Sequence, residues 1–181
     1  MWLIAVRKKG LSCPPGLAPF TASPRALERL AARQSPVREW YLDLKLLRDY
    51  YDGRKYHHTA SASLLYALAE GLQAIADEGL PARFERHVRN HLSLVAALES
   101  RGLKMLVAEG QRIPNLNTPL TPSGVDDAKV RQHLLEKHGV EIAGGFGPLA
   151  GKIFRIGLMG PLSSEEGVGM FLHAFDDALT A

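Results

Sequence analysis

Only one cysteine, Cys13, occurs in 181 residues. No internal disulfide framework can therefore hold the chain, and such usage suits a reducing cytoplasm. Long apolar runs are missing as well, and none approaches the roughly 20 residues a membrane span needs. Met1 to Val6 is short and apolar, but Arg7, Lys8 and Lys9 follow it, which reverses the order of a signal peptide. There is no internal repeat and no low-complexity segment. The net charge of +3 is not gathered anywhere. Lysine and arginine are interspersed with acids along helical stretches, the pattern of a solvated face rather than a nucleic-acid stripe. What remains is ordinary globular composition, 46% hydrophobic and 23% charged, long enough for one domain or for a small domain with part of another.

Trp2 to Val6 reads as a buried strand. Pro14-Pro15-Gly16 forms a rigid turn that neither a helix nor a central strand can contain, and Leu17 to Thr21 suits a short strand. Ser23 stands as an N-cap with Pro24 at the first helical position, opening a helix toward Arg33. A second helical pattern runs from Tyr41 to Tyr51. Leu64, Leu65, Leu68, Leu72 and Ile75 recur at helical spacing until Gly79. Pro81 restarts a helix whose expected apolar stripe is Phe84, Val88, Leu92, Val95 and Leu98, ending at Gly102. Leu103 to Val107 is a strand candidate. A helix from about Asp126 should turn Val130, Leu134 and Leu135 inward and stop at Gly139. Val140 to Ile142 and Ile153 to Leu158 read as strands around the glycine-rich stretch Gly144 to Gly151. Ser163 and Glu166 have capping-box spacing at the start of the last helix. From Ala60 on, the order of elements predicts an α+β domain, with helices against a small, mostly antiparallel sheet.

Several residues are of types that structure alone does not demand. Lys9 ends a strand before the proline turn. Buried there, its amine would be neutral enough to form a Schiff base; the alternative is an exposed surface lysine. Tyr56 and Thr59 bring hydroxyl donors close to a helix N-terminus, where a phosphate can bind, unless Thr59 simply caps that helix. Arg155 interrupts an apolar strand-like run. Its planar fork suits a carboxylate, either of a substrate or of an internal Asp or Glu. His87 and His91 are four apart on a helix, but without a glutamate in metalloprotease position they read as a polar face and not a metal pair. His133 and His138 read as surface residues near a helix end. No base stands beside Cys13 to make it a nucleophile.

The strings KGLSCPPGLA, YHHTAS with LLYALAEGL, and HGVEIAGGFGPLAGKIFRIGLMG, in that order, resemble the class V pyridoxal-phosphate-dependent aminotransferases of the alanine–glyoxylate and serine–pyruvate group. The resemblance runs from Lys9 nearly to the C-terminus. It implies an α/β fold of type I, present here as a fragment. Residues 1–59 would be a remnant of the large cofactor-binding domain, and residues 60–181 the linking long helix and the small α+β domain. It also implies roles. Lys9 matches the Schiff-base lysine that holds pyridoxal 5'-phosphate and shuttles the substrate proton. Tyr56 and Thr59 match residues that reach the cofactor phosphate of a second subunit in a homodimer. Arg155 matches the arginine that binds the substrate's α-carboxylate. The reaction would be two half-transaminations between a small amino acid, alanine or serine, and a 2-oxo acid, glyoxylate or pyruvate, in the cytoplasm, with no metal, membrane or nucleic acid involved. Cysteine desulfurases of the same class need a cysteine on a mobile loop, which the proline-rigid Cys13 does not offer.

Two departures accompany the resemblance. The family's acid beneath the pyridine nitrogen and its ring-stacking aromatic lie upstream of anything matched here, so the chain is expected to be inactive alone. The competing reading is a non-catalytic remnant that acts at most through protein association. The family's Gly-Ser-Gln before the lysine is replaced by Val6-Arg7-Lys8. Val-Arg-Lys-Lys-Gly can be encoded as GTT CGC AAA AAG GGG. Preceded by G and one base shorter, the same letters read Gly-Ser-Gln-Lys-Gly. A single-base frame change near Lys9 would thus account for residues 1–8, and the genomic sequence upstream tests it.

Overall fold

The computed structural model describes residues 10–53 and 55–181, together with the backbone of Trp2–Ile4. The chain divides into two compact units, Met1–Leu72 and Gln73–Ala181, with the division falling inside one long helix.

In the first unit, strands β1 (Trp2–Ile4) and β2 (Phe20–Ala22) pair antiparallel, with Leu3 opposite Thr21. Ser23 caps helix α1 (Pro24–Ala31) as its spacing predicts, its hydroxyl accepting the Ala26 N–H at 3.4 Å. A short turn of helix at Trp40–Leu42 leads into α2 (Leu44–Gly53). The long α3 (Ala62–Glu78) then begins, and it buries none of its residues. Among the described residues up to Leu72, only Cys13 and His57 are buried. Among its described residues this unit therefore has hydrogen bonds and ring contacts but no apolar core.

The second unit does have one. Helix α4 (Leu80–Ser100), α5 (Asp127–His138) and α6 (Glu165–Thr180) cover one face of a three-stranded antiparallel sheet ordered β3 (Leu116–Asn117), β5 (Phe154–Gly157), β4 (Ala143–Gly144). Phe154 and Ile156 of β5 face this core with Leu94, Leu98, Leu134 and Phe175. Phe154 and Phe175 meet edge to face at 5.4 Å. Each such side chain contributes about 1.5–3 kcal/mol by leaving water. The α5 termini are those expected: Asp126 accepts from the N–H groups of Ala128 and Lys129, and Gly139 closes the helix in the left-handed conformation.

Other expectations are corrected. Phe84, Val88 and Leu92 of the predicted α4 stripe are exposed; Leu94, Val95 and Leu98 are buried, and so are Arg83, Asn90 and His91. The reason is polar packing along the first half of α4. Arg86 donates to the carbonyls of Gly160 and Ser163, Asn90 donates to Ser163 at 2.7 Å, and His87 Nε2 accepts the Gly160 N–H at 3.2 Å. His87 and His91 thus turn inward instead of forming a solvated face, with His91 Nδ1 lying 2.6 Å from Asn117 Oδ1. Leu135 is exposed, not inward. Leu103 to Val107 makes only an isolated bridge, Met105 to Pro119, flanked by hydrogen bonds from the Leu106 N–H to Thr118 and from the Leu120 N–H to Lys104. Ser164, not Ser163, caps α6. His133 and His138 are half-buried, and both bond to Asp177.

Candidate active site

Period-two alternation decides where Arg155 points. Its neighbours Phe154 and Ile156 are buried, so Arg155 lies on the sheet face opposite the helices. There its Nε donates to the Gly144 carbonyl at 2.6 Å, and the guanidinium sits 4.1 Å from the centre of the exposed Phe146 ring. Half-buried rather than enclosed, Arg155 meets no carboxylate among the described residues, and its terminal nitrogens have no protein partner there. Of the two partners its chemistry allows, an internal Asp or Glu is therefore not used. The bend that brings Gly144 and Phe146 to it depends on Gly145, where a Cβ would overlap the Leu149 carbonyl.

Tyr56 and Thr59 belong to the first unit, on the segment leading into α3. His57 between them is 5% exposed, stacked on the Trp40 indole at 4.2 Å with only 3° between planes. Its Nδ1 lies 2.9 Å from Nδ1 of His58, so one ring nitrogen donates and the other accepts. Anchoring His57 inward leaves Tyr56, at 80% exposure, pointing out. The hydroxyls of Tyr56 and Thr59 are 3.2 Å apart. Helix α3 opens only at Ala62, with the Leu65 N–H donating to the Ser61 carbonyl. Thr59 therefore stands clear of the first turn, and its hydroxyl is held by Tyr56. Two adjacent exposed hydroxyls suit oxygens of an anion that approaches from outside the unit.

Lys9 lies outside the described residues. The loop that follows it is fastened to α3. The Cys13 thiol donates to the carbonyls of Ala67 at 3.1 Å and Leu11 at 3.2 Å. Gly71 admits this close approach, since a Cβ there would overlap Cys13 Sγ and the Leu11 carbonyl. Cys13 is thus a buried anchor. The structure brings Tyr56 and Thr59 together, while Arg155 belongs to the other unit. Sequence reasoning overlooked Trp40, His57, Gly71 and Phe146. His57 carried a signal, an aromatic-sized residue between two polar hydroxyls in an extended stretch, whereas Trp40 and Gly71 act across long sequence separations.

The fold is that of the transferases of fold type I, as comparison with known proteins shows. Alanine–glyoxylate aminotransferase of Drosophila melanogaster is 40% identical over 177 residues, which is 95% of this chain and 45% of the fly protein. The (S)-ureidoglycine–glyoxylate transaminase of Bacillus subtilis is 37% identical over 191 residues, with 95% and 46% covered. The crystal structure of alanine–glyoxylate aminotransferase from Nostoc superposes with a TM-score of 0.94 at 44% identity, over 98% of this chain and 48% of that one. No family model matches the chain. The chain spans about half the length of the curated relatives it matches. Over nearly its whole length the chain is similar to the C-terminal half of the class V pyridoxal-phosphate-dependent aminotransferases of the alanine–glyoxylate group.

Proposed function

We propose that this chain carries the lysine, phosphate-contact and substrate-carboxylate elements of a transaminase that moves an amino group between a small amino acid, alanine or serine, and glyoxylate or pyruvate. The observation that carries the reading is Arg155, aligned by Gly144, backed by Phe146 and free of any carboxylate among the described residues. A cation so placed, with its terminal nitrogens available, suits a bidentate carboxylate.

The exposed hydroxyls of Tyr56 and Thr59 would hold the phosphate oxygens of pyridoxal phosphate, serving the site of a second copy in a cytoplasmic homodimer. When bound, the cofactor supplies a reactive aldehyde and a ring that takes up electrons. Lys9 would hold it through Nζ and then carry the proton taken from the substrate's α-carbon. Arg155 would fix the substrate's α-carboxylate and so orient the substrate. Phe146 would keep water from one face of the guanidinium and so strengthen its grip.

A second reading, a non-catalytic chain acting through association, is favoured by one observation. Helix α3 buries nothing, with Leu65 45% exposed and Leu72 50% exposed, and an apolar helix face of this kind is usually covered by protein. Absorbance after addition of pyridoxal phosphate separates the two. A shifted band, reducible by borohydride and missing in Lys9→Ala, supports the transaminase reading; no band supports the association reading.

A further inference from the structure

Away from these residues, the ends of α5 and α6 gather a set of metal-ligating groups. His133 Nε2 and His138 Nε2 approach the same oxygen, Asp177 Oδ2, at 2.8 and 2.7 Å. All three atoms lie within 4.8 Å of one another. Each residue is half-buried, with side-chain exposures of 24%, 20% and 36%. A surface ion pair does not need two imidazoles aimed through the same nitrogen at one carboxylate oxygen. A metal ion does, since bonds of about 2.0–2.2 Å place tetrahedral ligands roughly 3.5 Å apart. The present nitrogen–oxygen separations of 2.8 and 2.7 Å are hydrogen-bond distances, so the three side chains would spread by somewhat under ~1 Å to admit the ion.

We propose that His133, His138 and Asp177 form a binding site for a divalent transition-metal ion of the zinc class. Two imidazoles and one carboxylate are borderline ligands that suit Zn²⁺, Co²⁺ or Ni²⁺, and not Mg²⁺ or Ca²⁺, which take oxygen. Each imidazole binds through the Nε2 lone pair and keeps its proton on Nδ1. Lys137 Nζ, 3.3 Å from Asp177 Oδ2, is the one group that must leave, and at 60% exposure its side chain is free to swing into solvent. His173 stands one turn before Asp177 on α6, its ring 6.3 Å from that of His138, and offers a fourth ligand by rotating its side chain. Otherwise a water completes the sphere. The ion would tie the C-terminal end of α5 to α6, and so stabilise the second unit.

The test uses the full chain without affinity tag, titrated with CoCl₂ and then ZnCl₂. The expected result is one Co²⁺ per chain with visible absorption bands of tetrahedral type, displaced by Zn²⁺. Zn²⁺ should also raise the melting temperature of the wild type. His133→Gln combined with His138→Gln should remain folded by circular dichroism and bind more than about tenfold more weakly, since even second-shell changes cost that much. If the double variant does not fold, Lys137→Ala replaces it and should bind more tightly than wild type, because a competing cation is gone. Absence of binding by the folded wild-type chain, affinity unchanged in the folded double variant, or no gain in Lys137→Ala would overturn the proposal.

Discussion

Arg155 donates its Nε hydrogen to the carbonyl of Gly144 across 2.6 Å, between neighbouring strands. That bond uses the one guanidinium nitrogen a bidentate carboxylate can spare, and it sets the plane of the fork. Arg155→Ala should therefore lower the melting temperature of the second unit modestly, since the charged hydrogen bond to Gly144 and the Phe146 contact are lost but no ion pair is. The same change should weaken carboxylate recognition by about 100-fold, as one or two charged hydrogen bonds of about 1.5–3 kcal/mol disappear. Titrating the cofactor-loaded protein with alanine and following its absorbance measures this. Arg155→Lys should recover little, because an ammonium cannot reproduce the fork.

Gly145→Ala places a methyl against the Leu149 carbonyl, backbone that cannot rotate away. A loss of about 1–3 kcal/mol is expected from such overpacking, read from the urea midpoint of the folded chain. The Gly144 carbonyl should shift with the loop, so alanine binding should weaken as well. A variant as stable as wild type would show that the Gly144–Phe146 bend is not tightly held.

Glu78 gives a pH dependence of definite sign. Hydrogen bonds from Arg86 above all, and also from Arg83, bring its carboxyl from 4.5 down to about 2 against the opposing effect of burial. A carboxyl lowered on folding stabilises above its unfolded value, and this contribution is lost as the pH falls. Stability from this knot should be complete above about pH 4.5 and gone near pH 2. Glu78→Gln should flatten the urea midpoint across that window and cost about 1–3 kcal/mol at neutral pH. A wild-type profile already flat there would contradict the assignment.

Gly71→Ala should act on the first unit alone. The new methyl would displace the Leu11–Cys13 loop from α3, and with it the segment that carries Lys9. Loss of pyridoxal-phosphate adduct with an unchanged melt of the second unit is expected. Adduct formation at wild-type level would show that the loop's seat does not matter to the lysine.

Residues whose signals are local were legible in the sequence. Ser23, Asp126 and Gly139 mark helix ends through chemistry contained within one turn, and the Phe154-Arg155-Ile156 alternation already separates core from open face. The misreadings share a cause. Phe84, Val88 and Leu92 have core-like spacing, but Arg86 and Asn90 turn α4 toward carbonyls at Gly160 and Ser163, far away in sequence. Likewise His133 and His138 look like surface groups until Asp177 arrives from α6. At the site, the family motifs singled out Tyr56, Thr59 and Arg155. The supports beneath them, Trp40, Gly144 and Gly71, act through contacts that no local pattern announces.

A cofactor-binding lysine at position 9 is tested by peptide mapping after borohydride reduction with pyridoxal phosphate, in wild type and Lys9→Ala. A single dominant adduct is expected on the peptide containing Lys9, absent from the variant. Adduct spread evenly over surface lysines, and equal in the two proteins, would contradict it.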